Sequence, residues 1–115
     1  MIIKIKNKEV SLDVKKVSGF KKFSGLMFSR REKASPLLFD FRKPTKTTFH
    51  SLFCFFPFLI IWLDKDNNVL EKRICKPFLP TIKPRNSFVK VVEIPLNKKY
   101  SKLVKEIIDE ERFKY

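Results

Sequence analysis

Hydrophobic and polar residues alternate at the start of the chain. Apolar residues occupy alternate positions on both sides of the polar run Lys6–Lys8, namely Ile3, Ile5, Val10 and Leu12. A period of two is typical of strands that bury one face. The pattern therefore predicts a β-hairpin over residues 1–15.

The spacing of apolar residues changes to three and four in the next segment, where they are Phe20, Phe23, Met27 and Phe28. This spacing places them on one face of a helix. We expect a short helix over Ser18–Arg31, with Gly25 as a candidate C-terminal cap.

Apolar residues dominate the middle of the chain and predict its central strands. Leu37–Phe41 alternates as a short strand, and the polar loop Arg42–Lys46 follows it. Thr47–Phe56 and Phe58–Asp64 are apolar on both faces, and Pro57 separates them because proline cannot donate to a ladder. We expect both segments to be central strands of the sheet.

Two more strands follow along the chain. Asp64–Asn68 predicts a turn, since Asn and Asp tolerate left-handed backbone conformations. Val69–Lys76 is then the return strand of a hairpin. Phe88–Ile94 is rich in β-branched residues and predicts another strand.

The last segment has the pattern of an amphipathic helix over residues 99–113. Its apolar face consists of Leu103, Val104, Ile107 and Ile108. Ser101 is a candidate N-cap. Lysines near its beginning and carboxylates near its end oppose the helix dipole, so we expect docking of the apolar face to hold this helix in place.

Together these elements predict a mainly β (α+β) fold. The 115 residues suffice for a single domain over 1–115 with its own core. We expect a small barrel-like antiparallel β domain with a short helix in its N-terminal half and the C-terminal amphipathic helix. The longest apolar run, Leu52–Leu63, is shorter than the roughly 20 residues of a membrane-spanning helix. We therefore expect no membrane span.

Positive charge is the strongest compositional signal. Lys and Arg number 26 against 12 Asp and Glu, which gives a net charge of +14. Residues 1–50 carry 13 basic and 4 acidic groups, or +9 of that total. A field of this sign favours nucleic acid, anionic lipid or acidic protein as a partner. The alternative is a dispersed, solvated lysine surface without a specific partner.

The basic residues of the N-terminal half form a candidate polyanion-binding set: Arg30, Arg31, Lys33, Arg42, Lys43 and Lys46. Arginine suits bidentate contacts to phosphate. If the fold brings these loops to one rim, they form a phosphate-binding patch beside phenylalanines that could stack on bases.

The residue types that catalysis requires are scarce. His50 is the single histidine, and no Gly-rich phosphate loop exists. Cys54 and Cys75 are expected to be buried free thiols in a reducing cytoplasm. Glu93 lies among apolar residues, which predicts a salt bridge to a basic residue. We expect no catalytic residue, no metal site and no cofactor.

A second arrangement stays open, a small-molecule pocket in the mouth of a barrel. Its candidate lining is Arg30, His50, Trp62 and Glu93. A third is a protein-interaction module that uses an uncovered aromatic patch or a sheet edge.

Several segments resemble a known family. They are Gly25–Arg30, Leu37–Phe41, His50–Asp64, Lys76–Phe78 and Val92–Pro95. In order and spacing they are similar to the archaeal branch of domain of unknown function 192, also named uncharacterised protein family 0127, over most of residues 18–95. The resemblance implies a compact, β-rich, barrel-like domain and no known activity.

The chain departs from the pattern of many bacterial members of that family. Phe49–Phe53 stands where they carry a Trp-Met-Lys-Asn-Thr-like stretch, and Leu96-Asn97 replaces their Ala-Gly pair. The combined expectation is a cytoplasmic, non-enzymatic binding domain with a basic surface, of unknown oligomeric state.

Overall fold

A computed structural model describes residues 1–17, 26 and 29–108. Its strands are β1 (Ile2–Ile5), β2 (Lys8–Ser11), β3 (Lys15–Val17), β4 (Leu37–Thr45), β5 (Phe58–Leu63), β6 (Val69–Cys75) and β7 (Phe88–Pro95). A 3₁₀ turn spans Arg31–Lys33, and a C-terminal helix spans Ser101–Ile108. Most of the helix predicted over Ser18–Arg31 lies outside the described residues.

The strands form a hairpin and a five-stranded sheet. β1 and β2 pair as the predicted antiparallel hairpin, and the larger sheet has the order β3-β4-β7-β5-β6. The predicted hairpin of β5 and β6 is confirmed, with the side chain of Asp64 accepting hydrogen bonds from the backbone N–H groups of Asp66 and Asn68 in its turn. β5 lies inside the sheet, and all six of its residues are buried.

One feature of the predicted fold class needs correction, and another is not confirmed. β3 pairs parallel to β4, so the sheet is mixed rather than purely antiparallel. Parallel neighbours require a long connection, and residues 18–36 supply it here. A barrel-like closure is not confirmed, since β3 and β6 lie at opposite edges of the sheet that the described residues form.

The sheet has a hydrophobic core on each face. Along β5, Phe58, Ile60 and Trp62 belong to the first core, and the alternate residues belong to the second. Residues from the segments 46–57 and 76–87 cover the first core. The β1–β2 hairpin and the C-terminal helix cover the second core.

The strand predicted over Thr47–Phe56 is wrong. Only Phe49 forms a bridge there, to Ile82, and the rest of the segment is a loop. The N–H of Cys54 donates to the carbonyl of Ser51, and Phe53 has a φ of 63°. A left-handed residue interrupts an extended strand, so this apolar segment folds over the sheet instead of joining it.

The polar loop predicted over Arg42–Lys46 is also corrected, because β4 continues to Thr45. The register between β4 and β7 shifts between Asp40 and Thr45. Arg42 has a φ of 65°, and its N–H donates to the carboxylate of Asp40. Because of this irregularity, the exposed polar end of β4 extends beyond the buried part of the sheet.

The C-terminal helix docks through the predicted face. Val104 and Ile107 are buried in the second core. Ser101 is the first helical residue rather than the N-cap, and its hydroxyl donates to the carbonyl of Lys98. The part of the prediction beyond Ile108 lies outside the described residues. No helix of the described chain is long and apolar enough to cross a membrane.

Candidate functional site: an exposed aromatic patch

The first group of predicted polyanion residues lies where β4 begins. Arg30, Arg31 and Lys33 are exposed around the 3₁₀ turn. The Nε of Arg31 donates to the carbonyl of Leu96 over 2.7 Å, and the side chain of Asn97 donates to the carbonyl of Arg31 over 2.7 Å. These bonds fix the turn against the end of β7.

The second group lies at the opposite end of β4. Arg42, Lys43 and Lys46 are exposed near Thr45, which pairs with Phe88 at the beginning of β7. At about 3.3 Å per residue, the strand between the two groups spans roughly 20 Å. The structure therefore separates the six candidates into two clusters instead of one rim.

The four residues proposed for a pocket are also divided. Trp62 and Glu93 are buried, whereas Arg30 and His50 are exposed. The Nδ1 of His50 accepts a hydrogen bond from the N–H of Leu52, which holds its ring at the loop surface. His50 and Arg30 are therefore at the surface, whereas Trp62 and Glu93 are in the interior.

Glu93 does not form the expected salt bridge within the described part of the chain. It is only 4% exposed. It pairs with Ile60 of β5, and Arg73 lies one strand further across the sheet. Arg73 pairs instead with Glu71 on its own strand. Burial without a countercharge raises the pKa of Glu93 to about 8.

The two thiols lie in the same core. Cys54 and Cys75 are free and buried, as expected. Burial raises the pKa of both, to about 11 for Cys75, and the carboxyl of Glu93 adds to each shift. A protonated thiol is a poor nucleophile and a poor metal ligand. The described residues contain no group of three or more His, Cys, Asp or Glu that could hold a metal ion.

The sequence did not identify the most unusual surface feature, which we call the aromatic patch. It consists of Leu52, Phe53, Phe55 and Phe78. Their exposed fractions run from 38% for Leu52 to 60% for Phe55. The rings of Phe55 and Phe78 pack edge to face with centroids 5.3 Å apart. Exposed aromatic residues in contact with each other, as Phe55 and Phe78 are, are typical of interaction sites.

The backbone of the aromatic patch is strained at two positions. Phe53 has a φ of 63° and Phe78 a φ of 62°. The left-handed region is unusual for a bulky side chain, because Cβ crowds the neighbouring carbonyl. Such a conformation persists only where surrounding contacts impose it.

Ser51 supplies those contacts from a buried position beneath the patch. Its hydroxyl donates to the carbonyl of Lys76 and accepts from the N–H of Leu79, each over 2.7 Å. Its carbonyl accepts from the N–H of Phe78 over 2.9 Å. One buried serine therefore joins both loops that present the aromatic rings.

The sequence carried a weak signal for this arrangement. In the loop, Cys54 and Phe56 are buried while Phe53 and Phe55 are exposed. All four residues are apolar, so the pattern did not distinguish the outward side from the inward side. Only the backbone conformation shows which rings face solvent.

Two solved structures share this fold. One is a protein from Sinorhizobium meliloti 1021 named as a proposed transcription regulator. It has a TM-score of 0.71 and 20% identity over 90% of this chain and 82% of that chain. The other is a protein of unknown function from Novosphingobium aromaticivorans. It has a TM-score of 0.68 and 18% identity over 90% of this chain and 75% of that one.

The comparison with functionally curated proteins gives no match. The family model of domain of unknown function 192, described as an uncharacterised family, matches residues 1–102. That match extends the resemblance from the central segments to the N-terminal hairpin and the start of the C-terminal helix. The chain belongs to the family of domain of unknown function 192.

Proposed function

We propose that this protein is a non-enzymatic protein-interaction module that binds an acidic protein through the aromatic patch. The observation that carries the proposal is the pair of exposed phenylalanines, Phe53 and Phe78, in left-handed backbone conformations. We further propose that it is a single domain and acts in the cytoplasm. Its similarity to the archaeal branch of the family remains a prediction from the sequence motifs.

The left-handed conformations of Phe53 and Phe78 carry an energetic cost in the free protein. Each left-handed non-glycine residue costs about 1–3 kcal/mol. Both rings stay about half exposed, so about half of their apolar surface remains in water in the free protein. A partner that covers them would recover the burial, since aromatic residues dominate the cores of protein interfaces.

The net positive charge of the protein favours an acidic partner. A net charge of +14 attracts acidic surfaces and repels basic ones. Complementary charge raises association rates and excludes wrong partners, while the desolvated apolar centre supplies affinity. The aromatic patch and the basic surface would therefore have separate roles in binding one acidic protein.

A second candidate function is polyanion binding at the end of β4. The exposed cations Arg42, Lys43 and Lys46 favour it, because all three project from one short segment. Arg30, Arg31 and Lys33 would form a separate contact at the other end of that strand. Nucleic acid and other polyanions would compete for the same clusters.

Photo-crosslinking in the native cell tests the main proposal. A photoreactive phenylalanine at position 55 should produce an adduct with an acidic protein. The double substitution Phe53→Asn with Phe78→Asn should abolish that adduct. A photoreactive residue in place of Ser87, an exposed position outside the patch, is the matched control and should give no such adduct. Equal adducts from positions 55 and 87, or nucleic acid as the main product, would overturn the proposal.

A further inference from the structure

β6 forms an open edge of the larger sheet. It pairs with β5 on one side, and within residues 1–17, 26 and 29–108 no strand pairs with its other side. The β1–β2 hairpin meets the start of this region, where Lys4 forms a bridge with Asn68. Hairpin residue Lys6 then turns the chain back. None of the described residues bonds to the outward backbone groups of the run Glu71–Cys75.

The open edge is held in place from both faces of the sheet. On one face, the Nζ of Lys72 donates to the carbonyl of Ile107 in the C-terminal helix over 2.8 Å. On the other face, Arg73 pairs with Glu71 and its guanidinium lies 5.1 Å from the ring centroid of Trp62. A template of this kind needs no rearrangement before it accepts another strand.

Two apolar side chains are exposed along the same strand. Leu70 is 44% exposed and Ile74 is 40% exposed. Leu70 lies at the irregularity where the register with β5 shifts, so it stands beside the regular part of the edge. An added strand could cover both side chains while its backbone pairs with the outward groups of β6.

We infer that this edge binds an extended acidic segment of another protein by β-strand addition. Lys72, Arg73 and Lys76, which directly follows β6, stand against a single carboxylate, Glu71, which pairs with Arg73, so Val69–Lys76 carries a net charge of +2. Opposite charges on neighbouring strands stabilise their pairing. The favoured peptide is extended and combines carboxylates with apolar residues.

A second copy of this chain is disfavoured as the occupant. Two antiparallel β6 strands would bring Lys72 and Arg73 of one copy towards the same residues of the other. Like charges on directly paired positions are destabilising, and two chains of +14 repel each other overall. The inference is separate from the aromatic patch and does not depend on it.

The two edges of the sheet differ in a way that supports this assignment. β3, at the opposite edge, has only three residues, and a very short edge strand is one means of preventing unwanted pairing. β6 has seven residues and contains no proline. Its open run is long enough to accept the usual length of an added strand.

The test uses a labelled synthetic peptide of about eight residues that alternates glutamate and valine. We expect it to bind the full chain, and a lysine–valine counterpart to fail. N-methylation at alternate amides blocks one hydrogen-bonding edge of the peptide at a time. The peptide that is methylated on the edge facing β6 should bind at least about tenfold more weakly. The peptide that is methylated on its other edge should retain binding, because only one edge pairs with β6.

Amide exchange locates the peptide on the protein. Alternate amides between Glu71 and Cys75 should become protected when the peptide is added. Ile74→Glu should weaken binding at least about tenfold through like-charge repulsion. Thr81→Glu, which adds the same charge at another exposed position, should change binding less than about threefold.

Three results would overturn the inference. They are equal effects of both methylated registers, no protection in β6, and protection of β6 that rises with concentration of the chain alone. The last result would assign the edge to a second copy. The variant with Phe53→Asn and Phe78→Asn should still bind the peptide, which separates this outcome from that of the aromatic patch.

Discussion

At the residue scale, Ser51 links a buried polar group to the shape of the surface above it. It is 2% exposed and bonds to both loops that carry the aromatic patch. A serine in an apolar run gives no sign in the sequence that its hydroxyl joins segments 25 and 28 residues away. Sequence periodicity reports which side chains are apolar, and it does not report the partner of a buried hydroxyl.

Replacing Ser51 should therefore destabilise the protein. Ser51→Ala leaves the carbonyl of Lys76 and the N–H of Leu79 without their partner, at an expected cost of about 1–3 kcal/mol in the free energy of unfolding. Urea denaturation measures this value. Ser87→Ala, at an exposed position, should stay within about 0.5 kcal/mol of the parent. A similar small change at Ser51 would contradict its anchoring role.

Glu93 makes the stability depend on pH. Its pKa is about 8 in the folded chain against an ordinary value of 4.5. Between these values the folded state keeps a proton that the unfolded state releases, so its contribution is complete below about pH 4.5 and is lost as the pH rises through 8. The free energy of unfolding should fall across this window.

Glu93→Gln should flatten that part of the profile, because an amide does not titrate. The difference in free energy of unfolding between the parent and this variant, measured from acid to mildly alkaline pH, isolates Glu93 from the other titrating groups. Parallel profiles would show that Glu93 ionises normally in the folded chain. A parent that gains stability relative to the variant as the pH rises would reverse the sign.

At the element scale, the sequence predicted the regular strands well and the loops over the first core poorly. β5 and β7 have strong apolar or β-branched runs and β6 follows a clear turn, and the structure places all three strands within a residue or two of the prediction. Thr47–Phe56 is also rich in apolar residues but forms a loop, because Phe53 is left-handed and Ser51 bonds across to Lys76–Leu79. Hydrogen bonds between residues that are distant in sequence determine the conformation of this segment, and a local sequence pattern does not show them.

The candidate site was less predictable than the fold for a related reason. The six basic residues are close in sequence, but a strand divides them. The aromatic patch combines Leu52, Phe53 and Phe55 with Phe78, which is distant in the chain and packs against Phe55. Among the predictions from the sequence, only the alternative of a protein-interaction module with an uncovered aromatic patch or sheet edge relates to this site.

The C-terminal helix is held by its docked face, so its buried residue should matter more than its exposed ones. Ile107 is fully buried in the second core. Ile107→Ala should lower the free energy of unfolding by about 2–5 kcal/mol. Lys105→Ala, on the exposed side of the same helix, should change it by less than about 0.5 kcal/mol. Equal, small effects would mean that the helix contributes little to the fold.

At the scale of the whole molecule, the question is whether the positive charge acts as a cluster or as a diffuse field. Reversing Arg42, Lys43 and Lys46 to Glu lowers the net charge by six. Reversing the exposed Lys65, Lys83 and Lys102 does the same at scattered positions. The matched variants separate the two explanations because they leave equal net charge.

Binding of single-stranded nucleic acid over a range of salt concentrations measures the difference. If the main proposal is right and the charge acts as a field, both variants should lose similar affinity. A much larger loss in the clustered variant, with a salt slope lower by about one unit for each phosphate contact removed, would instead support the polyanion site. That result would favour the second candidate function over the first.

The central claim is that Phe53 and Phe78 serve binding and that the free protein does not need their rings to fold. Asparagine tolerates the left-handed conformation, so Phe53→Asn with Phe78→Asn removes both rings and preserves the backbone. The free energy of unfolding should fall by less than about 2 kcal/mol, because relief of the left-handed strain offsets part of the loss of the half-buried rings. Phe56→Asn, at a buried position of the same loop, should lose more than about 3 kcal/mol. A comparable loss in the patch variant would show that its rings belong to the fold and would contradict the account.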